Sequence, residues 1–453
     1  MPTIRDALQQ GWQLQQRGQI AQAEHVYRQV IAQVPRSAEA HVYLGIALFD
    51  QQRFVESEAA YRTGLELQGR FPIAWNNLGN ALRMQNRVDE ADACFARSIE
   101  QQPGYLSPLK NRGTLWIWAG HIDRGLDYYQ QALQVAPEDP ELHRNLGVIY
   151  LLQGRFAEGW PQYRWRWNMP GLVRPPCSAP LWQGEPLQDK TILLYPEQGL
   201  GDAIHFVRMA EVVQQHGARV LLSCDANLIP LLQSARGIDQ IFPTQMTVGP
   251  VDYQASLIEV ADHLQIDGQN IPAAVPYLTV SDSLQSYWQR WLSSQVGGSG
   301  RRVGICWQGN PNHHADHYRS VALREFAPLF DVEGVQWISL QHGFGSQQIA
   351  EVPFADKLLR LPEDLDRSAG AFLDTAAVMQ NLDLVITTDT STAHLAGALG
   401  VPTWVLLGKL PDWRWSLEGS TTHWYPSLRL FRQQVVGNWQ GVVREMAGAL
   451  AEG

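Results

Sequence analysis

The sequence predicts an α + α/β protein, an N-terminal α-solenoid followed by two doubly wound α/β lobes. Three observations predict it. Glycines recur every 34 positions through the first third of the chain, and from Lys190 onward short apolar runs alternate with helix-length segments. A glycine- and serine-rich stretch, SSQVGGSGRR at 293–302, separates two groups of those runs as a hinge would. The expected divisions are a solenoid of about five repeats over 1–167, a packed capping or linker segment at 168–189, a first lobe over 190–296 and a second over 297–453 that ends in a helix.

Composition sets the bounds. At roughly 150 residues per domain, 453 residues fit about three domains, and 45% hydrophobic with 18% charged residues is globular. The formal charge of −10 excludes a long basic surface for nucleic acid. Four cysteines, Cys94, Cys177, Cys224 and Cys306, form no C-x-x-C pattern, so a reducing, cytoplasmic setting is expected rather than a disulfide framework or zinc ribbon. The start, MPTIRDALQQGWQLQQ, lacks the apolar core of a signal peptide, and no apolar run has the length of a membrane span.

The 34-residue frame is carried by Gly11, Gly45, Gly79, Gly113 and Gly147. Sixteen positions after each comes an aromatic residue: Tyr27, Tyr61, Phe95, Tyr129 and Tyr163. Leu44, Leu78 and Leu146 precede the glycine, and Pro35, Pro103 and Pro137 follow the aromatic. This pattern resembles the tetratricopeptide repeat, in which glycine lets helix A approach its neighbour, the aromatic of helix B fills the gap and proline ends helix B. Asn77, Asn111 and Asn145 share a second register two residues before the glycine, although Gln9 and Tyr43 break it in the first two repeats. The column is either a peptide-binding ladder, as in the repeats of the nucleocytoplasmic protein O-GlcNAc transferases that this half resembles, or simply a common repeat residue. Beyond the fifth glycine, Trp160, Trp165, Trp167 and Trp182 make the proline-rich stretch too aromatic for a free linker, so it is expected to cap the solenoid and pack on the next domain.

In the second half TILLYP, ARVLLSC, IDQIFP, RVGICW, VQWISLQ, LDLVITT and PTWVLLG read as strands between helices, the pattern of βαβ units. Ligands of such sheets sit at the carboxyl ends of the strands. There the first strand runs into YPEQGLGDAIHFVR, where Gly199 and Gly201 bracket a turn and Asp202 begins a helix. Asp202 is either a cleft carboxylate or a cap on its own helix, and His205 lies on the same helix face. In the later strand–turn–helix, LDLVITTDTSTAHLAGALG, the residues Asp389, Thr390, Ser391 and Thr392 precede or open the helix, with His394 in its first turn. Free amides, hydroxyls and a positive helix end suit a diphosphate; a hydroxyl-rich capping turn is the alternative.

Together, GLGDAIH and DTSTAHLAGALG resemble motifs of the lipopolysaccharide heptosyltransferases and related sugar-nucleotide transferases over residues 190 to about 450. The resemblance implies the GT-B fold, two Rossmann-like lobes, and an inverting glycosyltransferase that needs neither a divalent metal nor a covalent intermediate. It implies that Asp202 is the general base, with His205 as the accompanying histidine, and that Asp389, Thr390 and His394 bind the donor diphosphate of a nucleotide sugar. Ser391 stands where the family usually has glycine, and Arg319 is the best match to its phosphate-binding lysine. Trp307, Asn310 and Arg414 are further candidate nucleotide or sugar contacts, with PDWRW (411–415) placed to close over the nucleotide. The acceptor, protein or glycan, is expected in the repeat groove. Alternatives remain open: an inactive scaffold with a degenerate transferase fold, or a nucleotide-sugar epimerase.

Two further patterns compete for metal. His313, His314, Asp316 and His317 form a dense set, with His313 and His317 at i, i+4 spacing, but a polar donor loop is the expected reading. Asp364-Leu365-Asp366 spells D-x-D and is read as a solvated turn. Charge is unevenly placed. Residues 1–167 carry 17 basic and 17 acidic side chains, against 18 and 28 in the remainder, so an anionic donor depends on the few cations of the cleft.

Overall fold

The structure, a computed structural model, describes residues 3–197, 199–246, 248–297, 300–313 and 315–452. The hinge residues Gly298 and Ser299, and His314 of the histidine-rich loop, lie outside them. The chain divides into two compact units, Met1–Leu142 and His143–Gly453.

The first unit consists of paired antiparallel helices: α1 (Ile4–Gln16) with α2 (Ile20–Gln33), α3 (Ala38–Asp50) with α4 (Phe54–Leu67), α5 (Pro72–Met84) with α6 (Val88–Gln101), and α7 (Leu106–Trp118) with α8 (Ile122–Val135). The periodic glycines do the work expected of them. A Cβ built on Gly45 would lie 2.6 Å from Tyr61 Cε1, and one on Gly79 would lie 2.6 Å from Phe95 Cε1, so the ring of helix B occupies the space that any side chain on helix A would need. Overfilling a packed site costs roughly 1–3 kcal/mol. Gly79→Ala is therefore expected to lower the urea midpoint of the repeat unit, and an unchanged midpoint would mean that Phe95 moves aside freely.

A second periodic device was not anticipated. Glu24 accepts from Gln51 Nε2 (2.7 Å) and Arg53 Nη1 (2.9 Å) of the next repeat, and 34 residues on, Glu58 accepts from Gln85 Nε2 (2.9 Å) and Arg87 Nη1 (2.7 Å). At the third step Ala119 and His121 hold the donor positions, which leaves the acid, Asp92, without that pair. It accepts instead from Arg112 Nε (2.6 Å) and Trp116 Nε1 (2.8 Å). Each acid thus ties one helix pair to the next where burial leaves its charge needing donors.

Helix α9 (Pro140–Leu152) spans the division between the units and pairs with α10 (Phe156–Tyr163). The rest of the second unit carries two parallel sheets. The first sheet is built from β1 (Thr191–Tyr195), β2 (Arg219–Cys224), β3 (Gln240–Pro243) and β4 (Tyr253–Ser256) in the order β3-β2-β1-β4. Its helices are α11 (Leu200–Phe206), α12 (Met209–Gln215), α13 (Ile229–Leu232) and α14 (Leu257–His263), and α15 (Asp282–Gln295) leads on to the second sheet. That sheet comprises β5 (Arg301–Cys306), β6 (Val335–Ser339), β7 (Leu358–Arg360), β8 (Leu384–Thr388), β9 (Thr403–Leu407) and β10 (Leu428–Arg432), in the order β10-β9-β8-β5-β6-β7. Its helices are α16 (Asp316–Arg319), α17 (Ala327–Phe330), α18 (Leu373–Met379), α19 (Ser391–Ala398) and α20 (Trp439–Glu452).

Both orders reverse direction beside their first strand, as in Rossmann-type sheets. The seven strands expected from sequence are all present; β4, β7 and β10 were not foreseen, being short or, in β10, interrupted by arginines at an edge. The D-x-D stretch needs correction. Asp366 is no solvated residue: its carboxylate accepts from the backbone N–H of Asp374 (2.7 Å) and Thr375 (3.1 Å), because the first turn of α18 leaves those donors without helical partners.

Candidate active site between two switch points

In an open parallel sheet the ligand crevice lies where the strand order reverses, between β1 and β4 in the first sheet and between β5 and β8 in the second. The segments singled out in the sequence follow β1 and β8. Gly201 lets them meet: a Cβ there would lie 3.2 Å from His394 Cδ2 and 3.4 Å from Ser391 Cα, so α11 and α19 touch backbone to side chain. Gly199 is the N-cap of α11 and meets no such steric demand.

Asp202 sits in the first turn of α11, which starts two residues earlier than the sequence suggested. Its carboxylate does not close on its own helix but is gripped by Arg414 Nη2. Arg414, only 6% exposed, also donates through Nη1 to Asp412 Oδ1 (2.8 Å). Burial raises the Asp202 pKa, with Asp412 and Glu197 adding to the rise and Arg414 opposing it.

On the other lobe Thr390 occupies the N-cap position of α19 without using its side chain as a cap. Thr387 Oγ1 lies 3.5 Å from Thr390 Oγ1, and Thr392 Oγ1 donates to Cys306 Sγ (3.5 Å). Ser391 is the first residue of the helix, where a glycine would offer no hydroxyl. Arg319, the last residue of α16, stands beside them. A Cβ on Gly309 would lie 3.1 Å from Arg319 Nη2 and 3.3 Å from Thr390 Cγ2, so the bare glycine allows the arginine to approach the start of α19. Arg319 Nε also faces Asp316 Oδ1 at 3.5 Å.

Burial and the nearby Asp412 charge push the Asp389 carboxyl up to about 6, against the pull of Arg319 and Arg414. A carboxylate whose pKa is higher in the folded than in the unfolded state destabilises the fold above the folded pKa, and the penalty fades as pH falls towards the unfolded value. Asp389→Asn is thus expected to stabilise the protein by on the order of 1–3 kcal/mol at pH 7.5 and by much less near pH 4. Equal melting temperatures at pH 7.5 would contradict this.

His205 and His394 lie behind the carboxylate. His205 Nδ1 is 2.7 Å from Tyr425 Oη and 3.3 Å from His394 Nδ1, and His394 Nδ1 is 3.0 Å from the same hydroxyl. Burial, reinforced by neighbouring arginines, holds both imidazoles well below the usual histidine range, so they are neutral at physiological pH. His205 is fully buried and its Nε2 has no hydrogen-bond partner; its ring is bonded to Tyr425 and His394 rather than to Asp202.

One candidate is not brought to the crevice. Trp307 is wholly buried in the core of the second sheet and donates to Gly345 O (3.2 Å). Asn310 is exposed and directly follows Gly309, beside Arg319 and Thr390, with its Oδ1 accepting from Asn312 N (3.0 Å). In the repeats, Asn111 Nδ2 donates to Asn76 Oδ1 (2.8 Å) and Asn76 Nδ2 to Asn77 Oδ1 (3.2 Å), so Asn76, outside the register, bridges two members of the amide column. Asn145 belongs to the second unit and is half-buried.

The sequence reading missed the three arginines of the junction. Arg166 Nε and Nη2 donate to Glu197 (both 2.5 Å), directly after β1; Arg164 Nη2 donates to Asp262 (2.8 Å), and Arg174 Nη1 and Nη2 to Glu259 (2.8 and 2.7 Å). Ser256, at the end of β4, also donates to Glu197. The first switch point is therefore filled by the segment that follows α10. Trp160, which donates to Ile266 O (2.9 Å), and Tyr163 pack against Trp413, with ring centroids 5.5 and 6.2 Å apart. The run Y-R-W-R-W is the sequence signal for the paired arginines.

Comparison with known proteins identifies the repeats. Tetratricopeptide repeat models match residues 8–68 and 119–163, and a second such model matches 72–105. A curated protein, Protein FlbA of Caulobacter vibrioides, is 28% identical over 324 residues, covering 66% of this chain and 53% of its own length. The chain thus spans about half the length of that relative, and the match is longer than the repeats alone supply. Among solved structures, pilF of Pseudomonas aeruginosa is 19% identical with a TM-score of 0.33, covering 36% of this chain and 75% of that one. A thermophilic TPR protein of Thermus thermophilus is 20% identical with a TM-score of 0.33, covering 36% and 89%. No helix among the described residues is long and apolar enough to cross a membrane. The chain carries N-terminal tetratricopeptide repeats, an architecture suited to protein–protein interaction, followed by parallel Rossmann-like sheets.

Proposed function

We propose that the second unit is a glycosyltransferase that moves a sugar from a nucleotide-diphosphate sugar to an acceptor hydroxyl, and that the repeats bind the acceptor or a partner protein. One observation carries this reading: Asp202, after the first strand of one sheet, and the Asp389–Thr392 turn with its helix, after a switch-point strand of the other, converge through the Gly201 contact, with Arg319 and Arg414 beside them. In the reaction the acceptor oxygen attacks the anomeric carbon as its proton passes to Asp202, and the bond from that carbon to the diphosphate oxygen breaks. The departing negative charge is met by the α19 amides, the hydroxyls of Thr390, Ser391 and Thr392, Arg319 and the neutral His394. Attack opposite the leaving group inverts the anomeric configuration, and no metal is needed.

A second reading, a binding scaffold, is favoured by the grip of Arg414 on Asp202. NMR analysis of UDP-, GDP- and ADP-sugars incubated with the full chain separates the readings. Slow release of free sugar with one donor, lost in Asp202→Ala, supports the transferase. A new nucleotide sugar in the mixture identifies an epimerase, and an untouched panel leaves the scaffold.

A further inference from the structure

The pair between Asp202 and Arg414 joins residues 212 positions apart, one from each lobe. It is nearly dry: the side chains are 14% and 6% exposed. A carboxylate held on a guanidinium is a poor proton acceptor, since every proton taken up must displace a charge-assisted bond. Yet Arg414 is not fully satisfied. Its Nε is buried without a hydrogen-bond partner, as is the hydroxyl of Thr388, directly before Asp389. Asp202 follows Gly201, whose Cβ position lies 3.4 Å from Ser391 Cα at the start of α19, so the guanidinium bonded to Asp202 stands on the side of the crevice that α19 lines.

The loop is built to hold Arg414 there. Arg432 donates to the carbonyls of Trp415 (2.5 Å), Ser416 (2.9 Å) and Gly419 (2.7 Å), and Trp413 lies among Trp160, Tyr163, Phe206 and Trp424. The backbone on both sides of Arg414 is thereby pinned, and its guanidinium is shared between Asp202 and Asp412.

We propose that Arg414 gates the base by exchanging the Asp202 carboxylate for the diphosphate of a donor seated at α19, so that Asp202 is released to act only once the donor is bound. The proposal rests on the transferase reading. It makes donor binding precede deprotonation of the acceptor, and it turns Asp202 into a competitor of the diphosphate for one cation.

The competition fixes the sign of the test. Calorimetric titration with UDP, GDP and ADP is compared for the wild-type full chain, Asp202→Asn and Arg414→Lys, each with its thermal melt recorded. Asp202→Asn is expected to bind the preferred diphosphate about tenfold more tightly, since a charged hydrogen bond no longer has to be broken. Arg414→Lys, which loses the two-pronged contact, is expected to bind about tenfold more weakly. Tighter binding by Asp202→Asn where the wild type shows none also supports the gate. Equal or weaker binding by Asp202→Asn, with a binding wild type, overturns the gate and leaves the transferase reading standing. Should Asp202→Asn fail to fold, unchanged affinity in Arg414→Lys overturns it instead. If no protein binds any of the three, both the gate and the transferase reading fall.

Discussion

Sugar transfer by Asp202→Asn is expected to fall by about 10²–10⁴-fold, the usual contribution of a general base. The amide keeps the shape of the carboxylate and can bond its surroundings, but it cannot accept the acceptor's proton. Burial raises the Asp202 pKa above the ordinary aspartate value, which would bring the proposed base closer to the pH at which it must work. The wild-type rate should therefore climb with rising pH through an acid limb that lies above the ordinary carboxylate range, and Asp202→Asn should lose that limb. Because the same substitution frees Arg414, kcat should fall without a rise in donor KM. A drop confined to KM would mean that Asp202 binds substrate and does not take the proton.

The second large effect concerns stability. Arg166 and Glu197 form an ion pair that is 2% and 0% exposed, where the sheet order turns beside β1. Arg166 also donates to Tyr163 O (2.9 Å), and Glu197 accepts from Ser256, so the pair closes the crevice of the first lobe from within. Removing one member of such a pair leaves a bare charge in a dry place and costs about 3–5 kcal/mol. Arg166→Met is expected to lower the stability of the second unit by that amount in urea unfolding. The double variant Arg166→Met/Glu197→Gln, which strands no charge, should recover most of it. If the single and double variants unfold alike, the two residues are not energetically coupled.

What was legible in the sequence followed from local spacing. The repeat frame could be read because a 34-residue period puts Gly79 against Phe95 by helix geometry alone, and the main strands could be read because buried parallel strands are nearly continuous apolar runs. The Asp202 and Asp389–Thr392 turns were found because glycine, aspartate and hydroxyl residues gather where strands give way to helices. The remainder depended on chain-distant partners. Arg414 is legible as a candidate nucleotide or sugar contact, but nothing in PDWRW reveals that its partner is Asp202, and the Arg166–Glu197 pair emerges only when the chain after α10 folds onto β1. Trp307 was misleading for a related reason: its place after a strand is shared by crevice residues and core residues, and only packing on the second sheet decides between them. Asp366 reads as acidic surface until the start of α18 shows which amides it must satisfy.

The transferase reading stands on the two switch-point segments together forming a diphosphate site that faces a carboxylate base. A crystal structure of the full chain with whichever of UDP, GDP or ADP it binds tests it most directly. The diphosphate is expected at the amide end of α19, within hydrogen-bond distance of Thr390, Arg319 and Arg414, with Asp202 no longer bonded to Arg414. A nucleotide bound elsewhere on the chain, or seated there with the Asp202–Arg414 pair unchanged and Arg319 turned away, would contradict it.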